Sequence, residues 1–564
     1  MITYEGASNF FQIFSHSFCF SACIVALFNT TFAVIIARKF MQIMQQNGYV
    51  RRSYDKWTYR KDNIYLIRLL MVVMLSVMAY LLFTIGFSYT TRQWNSYVGF
   101  IFYVFFLAVY IYFDFKRKSK SILVLTARAV RLIVTFVIIY YLLTLAILFG
   151  CQALGYVFKE NRYFVDVRFG VLCATPLLIP VIVEFANFIN KPFENANNKK
   201  YIDRTKKTLQ EANGLIKIGL TGSYGKTSVK EILRSILSVK YNVLATPASY
   251  NTPMGICKSA KRYDGTQDVF IAEMGARRIG EIRELVDIVK PDFAIITGIG
   301  NQHLGTFGTL EAVLKTKYEL VAGVKEGGTV VFASDNDNTF ALSERAKSEK
   351  RVDVVTAGIN SERANTVYCK DIVTDQNGSE FTIVFPDTEI RVSTVLIGKH
   401  NVSNIMVAVC ASYKLGLTPQ EIAEGIAQIK PIRHRLEVLK NDKGMTIIDD
   451  SYNSNVDGTI AALEVISSYE GRKIIVTPGL VELGRMEDLE NFRFGRRMAK
   501  VADIVIIVGG PNAYKIRDGL LDEDFNYDNI KIVPSLSDAI KYLNEISTSG
   551  DIVLFENDLP DKFM

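Results

Sequence analysis

Apolar residues dominate the first third of the chain and fall into five long runs. Each run approaches the roughly 20 residues that an α-helix needs to cross a bilayer. The first run is the weakest, because polar residues such as Ser21 and Asn29 interrupt it. The pattern predicts a transmembrane domain over residues 1–192, with helices at Phe18–Ile36, Ile64–Phe87, Tyr97–Phe115, Leu132–Gly150 and Phe169–Ile189.

From about Tyr201 the pattern changes to that of a soluble α/β protein. Short runs rich in Val and Ile alternate with helical periodicity, which is typical of mostly parallel sheets covered by helices. Residues 193–212, which include the polar segment ENANNKK, are predicted to link the two parts. The runs predicted as strands are Gly214–Leu220, Val269–Glu273, Phe293–Ile296, Thr329–Phe332, Thr446–Ile448, Lys473–Val476, Ile504–Val508 and Asp551–Phe555.

The distribution of charge predicts how the apolar helices are oriented. Lys and Arg number 65 against 57 acidic residues, and the basic residues cluster after the first, third and fifth apolar runs. Because cytosolic loops carry the excess of positive charge, the N-terminus is predicted outside the plasma membrane and everything after Lys191 in the cytosol. This placement favours anionic lipid, and not nucleic acid, as the partner of the basic residues. Seven cysteines without a CxxC pair and only four histidines argue against a structural zinc site.

The most specific local signal is IGLTGSYGKTS at Ile218–Ser228, where a strand pattern passes through a Gly-rich turn into a helix. Gly222 and Gly225 allow the backbone to approach a phosphate closely, and the helix N-terminus then faces the anion. Lys226 can bridge the β- and γ-phosphates of a nucleotide, and the Thr227 hydroxyl can coordinate Mg²⁺. The spacing is TGxxGKT and departs from the standard GxxxxGK[ST]. The predicted phosphate-binding residues are Thr221, Gly222, Ser223, Tyr224, Gly225, Lys226, Thr227 and Ser228.

Three residues further along could complete such a site. Glu273 ends an apolar strand at the sheet edge where open α/β folds bind ligands, and it could hold Mg²⁺ directly. His303 follows the strand Phe293–Ile296, although a lone histidine is more often structural. Lys317, taken alone, is typical of a solvated helix surface.

Taken together, these segments resemble the Mur ligase family, close to its D-alanyl-D-alanine-adding branch. They occur in the family's order over nearly all of the soluble half. The matching segments are LTGSYGKTSVKEIL, NTPMG at Asn251–Gly255, AEMGARRIGEI at Ala272–Ile282, NQHLGTFG at Asn301–Gly308, KTKYE, GKHNVSNIMVA at Gly398–Ala408, HRLEV at His434–Val438 and DDSYNSN at Asp449–Asn455.

The resemblance implies an enzyme that forms amide bonds with ATP and Mg²⁺. A substrate carboxylate attacks the γ-phosphate to give an acyl phosphate, and an amine then displaces the phosphate. The implied catalytic residues are Lys226, Glu273, His303 and Lys317. Lys226 and Thr227 would hold ATP and Mg²⁺, and Glu273 and His303 would complete the metal sites. Lys317 matches a lysine that many members carry as a carbamate, an added carboxylate for a second Mg²⁺.

The same resemblance assigns the remaining nucleotide contacts and the domains. Asn251 matches a position near the γ-phosphate. Asn404, with Asn401 nearby, matches the adenine contact, and Arg435 and Asp450 match contacts from the last domain. The implied fold is a P-loop central domain at 213–430 and a Rossmann-like C-terminal domain at 431–564, the latter carrying the incoming amine.

Two departures from the family bear on the substrate. The usual N-terminal domain, which grips a UDP-linked sugar-peptide, is replaced by the apolar helices, and the C-terminus lacks a basic ending. We therefore expect a carboxylate acceptor that is lipid-linked and an amine donor that is an amino acid or short peptide. A peptidoglycan or pseudomurein-like precursor and a capsule, teichoic-type or poly-γ-glutamate polymer both remain open as acceptors. An ATP-driven transporter or motor is the alternative function, although no ABC-type signature follows the phosphate-binding turn.

Overall fold

The computed structural model describes residues 16–61, 63–86, 95–116, 122–158, 161–300, 304–349, 351–359, 363, 365–452, 455–510 and 512–557. The chain packs as two compact units, one extending to Asn197 and the other starting at Asn198. This division falls inside the predicted linker, residues 193–212. The linker residues themselves continue a helix that ends only at Glu211.

The first unit is helical and has a core of aliphatic and aromatic side chains. A short 3₁₀ turn at Thr175–Leu178 separates its last two helices. This turn contains Pro176, which cannot donate a backbone hydrogen bond and therefore interrupts a regular helix. The helices are α1 (His16–Gln46), α2 (Arg51–Thr58), α3 (Ile64–Gly86), α4 (Asn95–Lys116), α5 (Ala127–Val157), α6 (Asn161–Ala174) and α7 (Ile179–Glu211).

Four helical stretches within the described part of the chain are long and apolar enough to cross a membrane. Over the residues that the structure describes, the prediction of five spans is thus corrected to four candidates. The third predicted run, Tyr97–Phe115, lies within helix α4. The four stretches are His16–Gln46, Ile64–Leu82, Ala127–Val157 and Val167–Glu211.

A buried polar network connects the helices of the first unit. The Asn29 side-chain amide donates to the hydroxyls of Thr144 and Thr175 at 3.2 and 3.3 Å. Its carbonyl oxygen accepts from the Tyr103 hydroxyl at 2.7 Å, and the Tyr140 hydroxyl donates to Thr175 at 2.8 Å. Since all five side chains are buried, these bonds give the apolar bundle specific contacts between helices.

The second unit begins with a nine-stranded sheet in the order β2-β3-β1-β4-β5-β6-β7-β8-β9. Strands β1 to β7 pair in parallel, and the last three form antiparallel hairpins at the edge. The strands are β1 (Ile216–Thr221), β2 (Val243–Ala245), β3 (Val269–Glu273), β4 (Phe293–Ile296), β5 (Thr329–Ala333), β6 (Asp353–Gly358), β7 (Val367–Asp375), β8 (Gly378–Val384) and β9 (Glu389–Thr394).

Apolar side chains fill the space between this sheet and its helices on both faces. The helices are α8 (Lys226–Leu237), α9 (Pro253–Ala260), α10 (Glu281–Val289), α11 (Leu304–Phe307), α12 (Leu310–Gly323), α13 (Asp337–Glu349), α14 (Lys399–Lys414) and α15 (Pro419–Ala427).

A second sheet of six strands follows, in the order β10-β11-β15-β12-β13-β14. Its strands are parallel except for the β10–β11 hairpin. The strands are β10 (Glu437–Lys440), β11 (Thr446–Asp450), β12 (Lys473–Thr477), β13 (Ile504–Val508), β14 (Ile530–Val533) and β15 (Ile552–Glu556). The helices are α16 (Val456–Ser467), α17 (Glu487–Ala499), α18 (Ala513–Leu521) and α19 (Leu536–Ile546).

The parallel pairing of β1 with β3 and β4 positions the candidate site. The register aligns Leu220 with Glu273 and Thr221 with Ile296, so the three strands end at one edge of the sheet. Ligands of open α/β folds bind at the carboxyl ends of such strands. The α/β class with mostly parallel sheets, as the sequence predicts, is confirmed.

Candidate functional site

The Gly-rich turn connects the buried end of β1 to the first turn of α8. Gly225 precedes the helix with φ +77°, a left-handed conformation that favours glycine. Gly222 packs so closely that a Cβ there would lie 1.9 Å from Oγ1 of Thr297. Neither glycine position therefore has room for a side chain. Free N–H groups at the start of α8 then face this turn, which is the arrangement that binds phosphate.

Lys226 folds back over the turn. Its Nζ donates to the carbonyl oxygens of Gly222 at 2.8 Å and Ser223 at 2.9 Å. Burial lowers the pKa of Lys226 to about 8, and the carboxylate of Glu273 partly opposes this shift. The amine therefore lies within the turn, where a nucleotide phosphate could replace its two carbonyl partners.

Thr227, Glu273 and Asn251 form a hydrogen-bonded group beside this lysine. Thr227 Oγ1 donates to Oε2 of Glu273 at 3.1 Å, and Asn251 Nδ2 donates to Oε1 of the same carboxylate at 3.1 Å. Adjacent ligands of an octahedral Mg²⁺, each about 2.1 Å from the ion, lie about 3 Å apart. The separation of the Thr227 and Glu273 oxygens therefore fits two neighbouring ligands of one Mg²⁺.

Lys317 lies on α12 and is 3% exposed. Burial holds the pKa of the Lys317 amine well below its usual range, and the positive charge of Lys226 acts in the same direction. The neutral amine is the nucleophilic form of lysine, which suits the expected carbamate. His303 lies outside the described residues, and α11 begins at the next residue, Leu304.

A cavity of about 290 Å³ continues from the Gly-rich turn and lies between the two sheets of the second unit. It brings together Asn404 from α14 with Arg435 and Asp450 from the second sheet. Asn401 also lines the cavity, but its Nδ2 donates to the carbonyl of Ile397 at 2.9 Å. Of the two candidate adenine contacts, Asn404 is therefore better placed to bind a ligand.

The backbone on both sides of Arg435 has an unusual, left-handed conformation. The residues on either side of it, His434 and Leu436, have φ of +59° and +49°. The imidazole Nδ1 of His434 lies 2.7 Å from Oδ2 of Asp449. The Arg435 guanidinium carbon lies 4.6 Å from the centre of the Tyr452 ring. Strained backbone of this kind concentrates at functional sites.

The surroundings of Asp450 shift the pKa of its carboxyl group. Burial raises the pKa of Asp450 to about 6, while the Arg435 guanidinium acts in the opposite direction. The group is therefore ionised at neutral pH and can accept a hydrogen bond from a ligand hydroxyl.

Sequence reasoning missed other residues of the cavity. Asp335 accepts hydrogen bonds from the Ile359 N–H at 2.9 and 3.1 Å and from the Ser403 hydroxyl. Asn336 Nδ2 donates to the Tyr224 hydroxyl at 3.0 Å. Both residues follow β5 at the carboxyl edge of the sheet, so the rule that singled out Glu273 could have found them. His400 also lines the cavity, where burial lowers its pKa to about 4.

Comparison with known proteins matches the second unit to two domains of one family. The model of the Mur ligase middle domain matches residues 220–412, and that of the Mur ligase, glutamate ligase domain, matches residues 434–556. The UDP-N-acetylmuramoyl-tripeptide--D-alanyl-D-alanine ligase of Bacillus subtilis is 30% identical over 60% of this chain and 72% of its own. The chain belongs to the Mur ligase family. The resemblance drawn from the sequence motifs is therefore confirmed.

Solved Mur ligases share the fold of the second unit. MurF from Acinetobacter baumannii has a TM-score of 0.59 and 26% identity, covering 65% of this chain and 78% of its own. The MurF ligase from Thermotoga maritima, in complex with ADP, has a TM-score of 0.56 and 25% identity, covering 64% of this chain and 80% of its own. As a Mur ligase, the protein is an ATP-dependent enzyme that forms amide bonds. The helical first unit precedes both of the matched domains.

Proposed function

We propose that this Mur ligase is anchored in the cytoplasmic membrane and joins a carboxylate to the amine of an amino acid or short peptide in cell-envelope precursor synthesis. One observation carries the proposal. The Thr227–Glu273 pair lies beside Lys226 at the carboxyl edge of the sheet. The neighbouring Gly-rich turn, through Tyr224 and Gly225, also lines the cavity of Asn404, Arg435 and Asp450. These residues provide, in one place, what the phosphates, metal and nucleoside of Mg·ATP need.

The chemistry explains why these side chains are required. The substrate carboxylate attacks the γ-phosphorus, the bond to the β–γ bridging oxygen breaks, and an acyl phosphate and ADP form. Two anions must meet for this step, and positive charge from Lys226 and from the first N–H groups of α8 reduces their repulsion. Thr227, Glu273 and His303 would hold Mg²⁺, which adds positive charge at the transferred phosphate when it is bound. The amine then attacks the acyl carbonyl, phosphate leaves, and the nitrogen loses a proton.

The loop Thr477–Gly484 supports delivery of the amine from the second sheet. The carbonyl oxygen of Glu482 accepts from the Gly305 N–H at 3.2 Å, and its carboxylate lies 3.5 Å from the Arg277 guanidinium. Asn491 braces the loop through two hydrogen bonds to Leu480, at 2.8 and 2.9 Å. A substrate bound at this loop would lie against the segment that follows His303.

The membrane part of the proposal rests on the first unit. Its four apolar stretches are long enough to span a bilayer, and basic residues follow the last apolar run. Such residues interact with the anionic lipid of the cytosolic leaflet. We place the N-terminus outside and the second unit in the cytosol, where ATP is available. If the acceptor is lipid-linked, the helical unit has a second role besides anchoring, which is to keep the enzyme at the surface where the acceptor lies.

Phosphate release by the detergent-purified full-length protein tests the proposal. Mg·ATP is supplied with a panel of amino acids and dipeptides, with and without extracted membrane lipids. Release that requires both an amine and the lipid fraction supports the proposal. Loss of release in Lys226→Ala assigns it to this site, and Lys261→Met, at an exposed position, is the matched control. Release that neither addition stimulates, yet Lys226→Ala abolishes, would favour an ATP-driven motor.

A further inference from the structure

Lys230 lies one helical turn beyond Lys226 on α8, and its side chain is entirely buried. Its Nζ lies 3.4 Å from Oε2 of Glu273 and 3.5 Å from Oε1 of Glu231. It also donates to the carbonyl oxygen of Ala248. A buried ammonium is costly unless it is paired and hydrogen-bonded, and this one has all its partners within the site.

Lys230 and Thr227 approach the same oxygen of Glu273. Oε2 accepts from the Thr227 hydroxyl at 3.1 Å and faces Nζ of Lys230, while Oε1 accepts from Asn251. In the described part of the chain, Lys230 is the one lysine with Nζ within 4 Å of Glu273. The candidate metal-binding carboxylate is therefore hydrogen-bonded and charge-balanced by the chain itself.

The lysine also fixes the segment that carries Asn251. Ala248 has φ +44°, in the left-handed region, and its carbonyl is the one that accepts from Lys230. Three residues later, Asn251 reaches the other oxygen of Glu273. One ammonium thus connects the P-loop helix, the carboxylate and this neighbouring loop.

We propose that Lys230 is an internal counter-ion for Glu273, which makes the site take up the divalent cation as its complex with ATP and not as the free ion. A free Mg²⁺ that approaches Oε2 meets a fixed positive charge beside the same oxygen, and Coulomb repulsion lowers its affinity. The negative phosphates of ATP offset that repulsion when metal and nucleotide arrive together. Lys230 is a positioning residue in this scheme, and the inference rests on the proposed binding of Mg·ATP.

Binding of Mn²⁺ alone tests the inference without any substrate. The full-length protein in detergent is titrated with Mn²⁺ and no nucleotide, and bound metal is followed by electron paramagnetic resonance. We expect the protein to bind free Mn²⁺ weakly and Lys230→Met to bind it about tenfold more tightly or better, since the repulsion is gone. Lys230→Arg keeps the charge and should keep weak binding. Lys261→Met, at an exposed lysine, is the control.

Thermal unfolding gives a second readout. Without Lys230, the buried Glu273 carboxylate keeps its hydrogen bonds from Thr227 and Asn251 but loses the ammonium beside Oε2. Lys230→Met should therefore unfold at a lower temperature in EDTA and recover in Mg²⁺. The double variant Lys230→Met/Glu273→Gln removes both charges and should be stable in EDTA without responding to metal. Even if the single variant does not fold in EDTA, this pair decides whether the loss is one of charge or of packing.

Three results would overturn the inference: unchanged Mn²⁺ affinity in Lys230→Met, a double variant as unstable as the single one, or tight binding of free Mn²⁺ by the unaltered protein. Failure of the proposed function looks different. In that case phosphate release is absent under all conditions, while the change in Mn²⁺ affinity on loss of Lys230 is still observed.

Discussion

The side-chain amide of Asn251 donates to Oε1 of Glu273 at 3.1 Å, across the end of the first sheet. Its backbone oxygen accepts from the Gly275 N–H at 2.9 Å. A Cβ at Gly275 would lie 2.7 Å from Cγ of Asn251, so this contact requires a glycine there. The rotation of the Glu273 carboxylate is fixed from the side opposite Thr227, and this leaves Oε2 directed toward the phosphate-binding turn.

Changing Asn251 should therefore affect catalysis through Glu273. Asn251→Asp places a second carboxylate against Oε1, and like charges at this distance favour protonation of one of them. We expect phosphate release from Mg·ATP to fall by about 10- to 100-fold, the range for breaking a buried hydrogen bond to a charged group. Steady-state phosphate release measures this. Activity within twofold of the unaltered protein would show that Asn251 does not orient Glu273.

The contact between Gly222 and Thr297 predicts a mutation that a second mutation rescues. Gly222→Ala places Cβ 1.9 Å from Thr297 Oγ1, so the Gly-rich turn must shift and ADP affinity should fall by about tenfold or more. Thr297→Ala removes that oxygen and leaves the Thr297 Cβ at 3.1 Å.

The double variant should therefore recover part of the lost affinity, as isothermal titration with ADP would show. Thr297→Ala alone is the reference, because it loses the hydrogen bond from Oγ1 to the Tyr224 carbonyl. Strictly additive losses in the double variant would contradict the steric explanation.

Nucleotide affinity should fall on the acid side of pH 6. The pKa of Asp450 is raised to about 6, and a ligand hydroxyl needs the ionised carboxylate as its acceptor. At pH 5 about one tenth of this group is ionised, so ADP affinity should be about tenfold weaker than at pH 7.5. Titration calorimetry at the two pH values measures this, and Asp450→Asn should bind weakly and equally at both.

Stability should respond to the same group in the opposite direction. Because the folded-state pKa of about 6 lies above the unfolded value of 3.8, the ionised carboxylate destabilises the fold, and this destabilisation declines as the pH falls from 6 toward 3.8. Asp450→Asn should therefore raise the unfolding temperature at pH 7.5, raise it about half as much at pH 5, and change it little only near pH 4, where the unfolded-state carboxyl is also protonated. A lower unfolding temperature at pH 7.5 would contradict this sign.

The buried polar network of the first unit should contribute to its stability. Asn29→Leu leaves the hydroxyls of Tyr103 and Thr144 without their amide partner, at a cost of about 1–2 kcal/mol in an apolar bundle. Both tryptophans of the chain, Trp57 and Trp94, precede residue 197, so tryptophan fluorescence during heating follows this unit alone. Cys23→Ala, at an exposed position on the same helix, should change its unfolding temperature little.

Much of the second unit could be predicted because buried parallel strands leave a strong pattern. The strands Val269–Glu273, Phe293–Ile296 and Ile504–Val508 have the predicted bounds. The antiparallel strands between Val367 and Thr394 were missed, because only part of each strand is buried. In Glu389–Thr394, for example, buried residues occupy two of six positions. At the edge of a sheet, pairing depends on the neighbouring strand more than on an apolar run.

The linker and the adenine contact show what composition and spacing leave undetermined. Residues 193–212, rich in Asn and Lys, are predicted only as a linker, and the structure shows that they continue a helix through Pro192 to Glu211. Asn401 and Asn404 are three residues apart and share a helix face. Only the start of α14 at Lys399 shows that the Asn401 amide is used by Ile397. The continuation of the helix and the orientation of Asn401 both depend on backbone hydrogen bonds, which one sequence does not reveal.

The cavity of the second unit takes its walls from two sheets that have separate cores. Because each sheet has its own main hydrophobic core, we expect the two to be able to unfold in separate steps. A nucleotide that binds Asn404 on one side and Asp450 on the other, as we propose, would stabilise both at once. Bound ADP should then couple the unfolding of the two sheets. We expect two melting transitions without ADP and a single transition when ADP is bound.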